Sequence, residues 1–323
     1  MLITEFLLAG LGLVILLLAG DTLVRGAVNL SLRLGIPALV VSLTIVAFGT
    51  SAPELLISIS AILEGVPGLA LGNVVGSNTA NILLVLGIPA LMSGLDTSQC
   101  DTRRNFAIMM MATLLFIALA FIGPFVWWHG LILLAGLAMM LGEAAWVARC
   151  HRRDNGAPGA AVVEELEEVE GADPDMPWWK ILVYLALGLI GLPLGADLLV
   201  DSSIVIARAF GVSETAIGLT LVAVGTSLPE LATTVMAALR RHADVALGNV
   251  IGSNIFNLLG IIGVAALVGP IPVDREILHF DLWIMLAASL LLVPYVFLKW
   301  PFGRGTGIVF TGLYAAYVIR VLS

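Results

Sequence analysis

Two acidic residues stand inside otherwise apolar stretches of the chain, each within the same short motif. Glu54 lies in Gly49-Thr-Ser-Ala-Pro-Glu-Leu55, and Glu230 lies in Gly225-Thr-Ser-Leu-Pro-Glu-Leu231. A carboxylate in an apolar environment is costly unless another group or water compensates its charge. Neither motif contains Lys or Arg, so a bound cation is the simplest counter-charge.

Neutral oxygen groups accompany both glutamates at helical spacing. Side chains that carry oxygen recur every four residues, so they would form stripes on helices. The stripes are Thr50, Glu54 and Ser58; Thr226, Glu230 and Thr234; Asn73, Ser77 and Asn81; and Asn249, Ser253 and Asn257. Such oxygens suit a hard cation such as calcium, which takes about 6 to 8 oxygen ligands. Zinc and copper fit poorly because these stripes contain no His or Cys.

A proline precedes each glutamate and predicts a break in its helix. Pro53 has no N–H for the carbonyl of Gly49, and Pro229 has none for the carbonyl of Gly225. We therefore expect a kink in each of the two helices that carry these motifs. Irregular backbone at membrane depth is tolerated where it is buried or lines a cavity, so the opened carbonyls are candidate ligands.

The two motifs belong to an internal repeat. A single offset of 176 residues aligns 21–91 with 197–267 without a gap, and about half of the positions in the motif region are identical. The aligned region also contains Leu71-Gly-Asn-Val-Val-Gly-Ser-Asn78 and its copy Leu247-Gly-Asn-Val-Ile-Gly-Ser-Asn254. The chain is therefore a duplicated unit.

Composition places the motifs in a membrane. Hydrophobic residues make up 60% of the chain, charged residues make up 12%, and the mean hydropathy is +1.07, which is outside the range of soluble proteins. A spanning helix needs about 20 apolar residues. We predict an all-α polytopic membrane protein with ten transmembrane helices, at 2–20, 37–63, 69–93, 105–123, 126–148, 178–200, 213–239, 244–270, 279–298 and 305–322.

The number of spans in each copy sets the relation between the copies. Five is an odd number, so the second copy must enter the membrane from the opposite side. We expect two inverted five-helix repeats, 1–148 and 178–323, joined by a linker loop at 149–177. Inverted repeats place a substrate site near the membrane midplane and permit alternating access.

Lys and Arg are distributed unequally between the two sides of the membrane. If the spans alternate, one side holds twelve of these residues and the other holds three. The positive-inside rule makes the rich side cytoplasmic, so the termini lie outside and the linker lies inside. Cys100 and Cys150 then lie at cytoplasmic span ends as free thiols. We expect a multi-pass protein of the plasma or inner membrane.

The linker carries an acidic run from Glu164 to Asp175. These carboxylates lack the ligand spacing and the turn glycine of a calcium-binding loop. A solvated tether between the two halves is therefore favoured over a regulatory calcium sensor.

The residues alone leave some alternatives open. Glu54 and Glu230 could be protonated acids, although two acids at equivalent places beside prolines favour an ion site. A channel would need a continuous pore. An intramembrane hydrolase would need a nucleophile and a base, or a metal bound by His, and neither motif supplies such a set. Some neighbouring polar residues either contact the ion or serve helix packing. They are Ser58, Thr234, Asn73, Asn78, Asn249 and Asn254.

The paired motifs resemble the alpha-repeats of the cation/calcium exchanger superfamily, in its sodium/calcium exchanger branch. Gly-Thr-Ser-x-Pro-Glu followed by Gly-Asn-x-x-Gly-Ser-Asn occurs twice. The resemblance implies a sodium/calcium antiporter that normally extrudes calcium, with ion sites formed by the spans at 37–63, 69–93, 213–239 and 244–270. The implied metal ligands are the side chains of Glu54, Glu230, Thr50, Ser51, Thr226, Ser227, Ser77, Ser253, Asn81 and Asn257 and the backbone carbonyls of Ala47 and Ala223.

Three positions bear on the ion that is coupled to calcium. Proton/calcium members of the superfamily usually carry Asn in place of Thr50 and Thr226, so the resemblance favours sodium, with proton coupling as the alternative. Potassium-dependent members usually carry Asp in place of Asn257, which argues against potassium. The resemblance implies a transporter and not an enzyme. The expected partners are calcium and sodium ions and the lipid bilayer, with no cofactor, no nucleic acid and no obligate protein partner.

Overall fold

The predicted all-α class is confirmed. A computed structural model describes residues 2–97, 100, 102–154, 173, 175–211 and 223–322, and these residues form helices and their connections without a named strand. Two isolated β-bridges, Leu95 with Phe302 and Phe125 with Ile271, hold connections together. Helices satisfy their own backbone hydrogen bonds, which an apolar solvent requires.

The helices follow the apolar runs of the sequence. In chain order they are α1 (Leu2–Leu34), α2 (Ala38–Thr50), α3 (Ala52–Leu63), α4 (Pro67–Met92), α5 (Arg103–Ile122), α6 (Trp127–Asp154), α7 (Trp178–Ala209), α8 (Leu228–Leu239), α9 (Ala243–Val268), α10 (Ile277–Phe297) and α11 (Arg304–Leu322). Gly65 has a φ of 78°, in the left-handed region that glycine tolerates, and so separates α3 from α4.

The described residues test the number of spans only in part. Seven helices among them are long and apolar enough to cross a membrane, and α2 with α3 gives an eighth if this bent pair is one span. The predicted span at 213–239 begins in residues 213–222, which lie outside the described part, and its described helix α8 has 12 residues. The α11 helix has 19 residues and contains Arg304 and Arg320. Ten spans remain a prediction.

The helices that carry the repeated asparagine motifs occupy the centre of the molecule. In α4 and α9, 83% of the apolar window is buried, against 17% in α1 and α6. The main hydrophobic core includes Val74, Val75, Val250 and Ile251 from these two helices. Most polar residues of α4 and α9 are therefore enclosed by protein, among them Ser77, Asn78, Asn81, Asn249, Ser253, Asn254 and Asn257.

Two long helices, α1 and α7, pack closely against each other. They contain 33 and 32 residues, which corresponds to about 50 Å of helix and exceeds the roughly 30 Å hydrocarbon core. Glycines permit the close approach: a Cβ at Gly12 would lie 2.7 Å from the backbone nitrogen of Leu199, and one at Gly195 would lie 2.8 Å from the nitrogen of Leu16. Small residues at such contacts are typical of membrane helix pairs.

Polar contacts hold α1 at two further places. Asp21 forms ion pairs with Arg25 and with Arg240, which follows the end of α8. The Nε of Arg33 donates to the carbonyl of Met176 at 3.1 Å, so residues just before α7 are attached to the end of α1. Most of the predicted linker and its acidic run, residues 155–172 and 174, lies outside the described part.

The glycine packing predicts opposite effects of the same substitution at two nearby positions of α1. Gly12→Ala should lower the free energy of unfolding by about 1 to 3 kcal/mol, because the new methyl group overlaps the α7 backbone. At Gly10 a Cβ would meet nothing within 4 Å, so Gly10→Ala should leave stability unchanged or raise it through helix propensity. Thermal unfolding of both variants in detergent measures the difference, and equal melting temperatures would contradict this packing.

Candidate functional site

Both glutamates follow a break in the backbone at a serine. Ser51 has φ −87° and ψ 5°, and Ser227 has φ −89° and ψ 3°, so the two copies have almost the same local conformation. The axes of α2 and α3 differ by 41° at this break, which confirms the predicted kink in the first copy. Pro53 and Pro229 each occupy the second position of the following helix, where no intrahelical N–H is lost.

The break places each carboxylate in the first turn of a helix. Glu54 lies in the first turn of α3, and Glu230 lies in the first turn of α8. The free N–H groups at a helix start carry partial positive charge, which favours an anionic side chain there. The backbone thus compensates part of the cost of burying the carboxylates.

The fold brings the two glutamates together from distant parts of the chain. Each is 1% exposed, and the two carboxyl groups are near enough for their charges to interact. The Ser51 hydroxyl donates to Oε1 of Glu230 at 3.1 Å, which links the first motif directly to the second. The fold therefore places residues of both motifs side by side.

The carboxylates lack a protein counter-charge within the described residues. Neither Glu54 nor Glu230 forms an ion pair with Lys or Arg there, and one oxygen of each, Oε2, is buried without a hydrogen-bond partner. Buried polar atoms in native proteins nearly always have a partner. Two unsatisfied carboxylate oxygens in one interior region are suited to a bound cation.

Thr50 is held between the two halves of the site. Its hydroxyl lies 3.3 Å from the carbonyl of Ala47 and 3.3 Å from Oδ1 of Asn249, and both of these oxygens can only accept. The Ala47 carbonyl also accepts from the backbone N–H of Ser51 at 3.1 Å. This carbonyl, an implied ligand, therefore already accepts a hydrogen bond. The carbonyl of Gly49 lacks the usual helical donor, because the residue four positions later is Pro53.

The asparagines at the far end of each stripe lie in widened helical turns. The α4 helix contains a π-helical segment, Asn81–Val85, and α9 contains another, Phe256–Ile261, which includes Asn257. Such segments are rare and often occur at functional sites. The residue pattern does not predict these segments, and the recurrence of asparagine at the same offset is the only signal for them.

The other expected ligands are mostly buried. Ser77, Ser227, Ser253 and Asn257 are buried. Thr226 is half-buried, and Ala223 begins the short helical turn Ala223–Gly225.

Two asparagines outside the expected ligand set belong to this network. Asn249 contacts Thr50, and Oδ1 of Asn254 accepts from Nδ2 of Asn81 at 3.0 Å. The sequence alone could not separate these two residues from asparagines that only pack. No group of three or more His, Cys, Asp or Glu side chains that could hold a metal exists in the described part of the chain. A cation here would be bound by two carboxylates and neutral oxygens.

Comparison with protein families identifies one that covers most of the chain. The profile described as sodium/calcium exchanger protein matches residues 4–142 and 180–323. The putative antiporter CaxA of Alkalimonas amylolytica is 36% identical over 282 residues, which cover 87% of this chain and 86% of that protein. The sodium/calcium exchanger MaX1 of Methanosarcina acetivorans is 34% identical over an alignment of 350 positions, gaps included, that covers 99% of each chain.

A solved structure is similar over the same extent. The sodium-calcium exchanger NCX_Mj, in a crystal soaked without sodium or calcium, superimposes with a TM-score of 0.82 at 32% sequence identity. The superposition covers 99% of this chain and 100% of that chain. The likeness therefore extends beyond the motifs to the whole helical arrangement.

Proposed function

Because the chain belongs to the sodium/calcium exchanger protein family, we propose that this membrane protein exchanges sodium for calcium by alternating access between the two sides of the bilayer. Its relatives MaX1 and NCX_Mj are named for that exchange. The observation that carries the proposal is the convergence of Glu54 and Glu230, both 1% exposed, without a Lys or Arg partner in the described residues.

The ion site consists of the two glutamates and the oxygens that surround them. The direct contact between Ser51 and Glu230, and the position of Thr50 beside Asn249, support ligands drawn from both motifs. The π-helical segments at Asn81 and Asn257 support a contribution from α4 and α9. The proposed set is completed by Thr226, Ser227, Ser77, Ser253 and the carbonyls of Ala47 and Ala223.

The charge of the site explains why the protein exchanges ions and does not let them leak. An empty site with two ionised carboxylates is costly to enclose and move past a low-dielectric barrier. One calcium ion neutralises two carboxylates, and so do two sodium ions, while hydroxyls and carbonyls help to bind any further sodium. Only the loaded states then change access readily, so each calcium ion must be replaced by sodium on the return step.

Alternating access requires part of the protein to move across a site that remains in place. Two inverted repeats of five spans each would provide equivalent inward and outward states. The α1 and α7 helices are suited to move because they pack tightly on each other through Gly12 and Gly195 and contain none of the proposed ligands. The assignment of the motion to this pair extends the analogy with the family.

The proposed orientation places both termini outside and the 149–177 loop in the cytoplasm of a cell bounded by the plasma or inner membrane. The excess of Lys and Arg on the loop side supports this orientation. With sodium entering down its gradient, calcium would normally be extruded.

The first test removes one charge from the site and preserves its shape. Glu54→Gln and Glu230→Gln should each abolish calcium exchange in proteoliposomes, because the remaining single carboxylate no longer neutralises calcium. Glu64→Gln is a matched control, since Glu64 directly follows the same α3 helix but is exposed. Calcium exchange that persists in both site variants, each purified as monodisperse protein, would refute the site.

The second test distinguishes sodium coupling from proton coupling. Calcium flux into vesicles is measured with sodium or choline at constant pH and clamped voltage. Sodium should support the flux and choline should not, whereas a proton-coupled exchanger would be indifferent to the replacement.

The same assay tests the hydroxyl ligands. Thr50→Ala and Thr226→Ala should weaken sodium-dependent calcium release by roughly tenfold, and calcium binding by less, because calcium can rely on the carboxylates. Thr50→Ser retains the hydroxyl and should retain sodium dependence. Equal losses of sodium-dependent calcium release and of calcium binding would show that these threonines have no sodium-specific role.

The third test concerns orientation and uses the two cysteines, which are both free and half-buried. Burial, together with the charges of Asp244 and Asp96, raises the pKa of Cys100 to about 12, so its thiol should react poorly. Cys150 is therefore the better reporter. An impermeant maleimide should label Cys150 in inverted vesicles but not in intact cells, and Cys150→Ser should abolish the signal. Labelling in intact cells would reverse the proposed orientation.

A further inference from the structure

We propose that Asn249 and Asn254, two buried amides of α9, are positioning residues that turn the oxygens of Thr50 and Asn81 towards the cation. The inference rests on the proposed ion site and deepens it. Neither asparagine belongs to the ligand set implied by the family resemblance, and both make contacts to the first repeat across the centre of the molecule.

The orientation of Asn254 is fixed by a group that can only accept. Its Nδ2 lies 3.3 Å from the backbone carbonyl of Asn78 and 3.9 Å from the Sδ of Met109. A carbonyl has no hydrogen to donate, so the NH₂ group of Asn254 must face it. The Oδ1 of Asn254 therefore faces Asn81.

This orientation determines which end of Asn81 is available to an ion. The Nδ2 of Asn81 donates to Oδ1 of Asn254 at 3.0 Å, so the Oδ1 of Asn81 points elsewhere. That oxygen is buried and has no hydrogen-bond partner within the described residues. A flipped Asn81 would present its NH₂ group, which repels a cation. Asn254 thus selects the orientation in which Asn81 can act as a ligand.

Asn249 acts on Thr50 by the same logic. Its Nδ2 lies 3.1 Å from the hydroxyl oxygen of Thr234 and 3.4 Å from the backbone carbonyl of Glu230, so its Oδ1 faces Thr50. The Thr50 hydroxyl then has acceptors beside it, the Oδ1 of Asn249, the carbonyl of Ala47 and the carboxylate of Glu230, and directs its hydrogen to them. The lone pairs of the hydroxyl remain for a cation.

Asn78, the equivalent of Asn254 in the first repeat, lacks these contacts within the described residues. An offset of 176 pairs Asn73 with Asn249 and Asn78 with Asn254. Both side-chain polar atoms of Asn78, and the Nδ2 of Asn73, are buried without a hydrogen-bond partner in the described part of the chain. Asn78 and Asn254 therefore differ in their contacts although their motifs are nearly identical, and the orienting contact to Asn81 comes from α9.

The test compares Asn254 of α9 with its counterpart in α4, Asn78. Leu has nearly the shape of Asn but cannot accept a hydrogen bond, so Asn254→Leu should raise the KM for calcium by roughly tenfold with little change in kcat. Asn78→Leu, the matched control, should change KM by less than about threefold, because it removes no side-chain hydrogen bond. Asn249→Leu should likewise raise the KM for sodium. Equal effects of Asn254→Leu and Asn78→Leu would overturn the inference.

Testing Asn254→Leu in a chain that also carries Asn81→Asp separates an effect on the orientation of Asn81 from an effect on general packing. Asn81→Asp carries an oxygen at both ends of its side chain, so either orientation presents a ligand. Asn254→Leu should therefore have little further effect on calcium affinity in this background, whereas a loss as large as in the parent chain would overturn the positioning role.

A third variant covers the case in which Asn254→Leu does not fold. Asn254→Asp keeps the acceptor for Asn81 and should bind calcium more tightly than Asn254→Ala, measured as calcium-induced thermal stabilisation of the detergent-purified protein. The reverse order would contradict the role. Calcium exchange retained in Glu54→Gln would instead refute the site itself, so the two failures are distinguishable.

Discussion

The structure depends on the burial of two carboxylates beside each other with no positive side chain from the described protein to neutralise them. Glu54 and Glu230 are 1% exposed, and their charges repel each other when both are ionised. Such an arrangement is unfavourable in a closed empty protein and becomes favourable when a cation binds. The ion is therefore part of what makes this interior stable, and its exchange for other ions is the step that the protein controls.

The backbone around the glutamates reduces the cost of holding them there. Each carboxylate lies in the first turn of a helix that begins directly after a serine in a non-helical conformation. The proline that breaks the preceding helix also fits the start of the next one, so a single residue creates the helix end and the exposed N–H groups. The hydrogen bond from Ser51 to Glu230 then connects the two helix starts. Chemistry and local fold are thus produced by the same few residues.

The two halves of the chain are alike in sequence but unequal in their contacts. Asn249 and Asn254 bridge to the first repeat, whereas Asn73 and Asn78 keep buried polar atoms without partners in the described residues. A similar inequality exists at α1, where Asp21 pairs with Arg240. The residues at the equivalent positions, 197 and 64, are both acidic, so this ion pair has no counterpart in the other half. A duplicated sequence therefore does not impose a symmetric set of interactions on one conformation.

The sequence by itself determined the features that follow from residue type and spacing along the chain. The apolar runs predicted helices, the offset of 176 revealed the duplication, Pro53 predicted the kink, and the isolated Glu54 and Glu230 marked the site. These depend on helical periodicity, the missing proline N–H and the cost of buried charge, all of which act locally. Only the tertiary structure decided which asparagines hold Thr50 and Asn81, that the Ala47 carbonyl accepts a hydrogen bond from the N–H of Ser51, and that α4 and α9 contain π-helical turns. The partners in these inter-repeat contacts are 173 to 199 residues apart in sequence, and the choice between equivalent asparagines depends on how the helices pack.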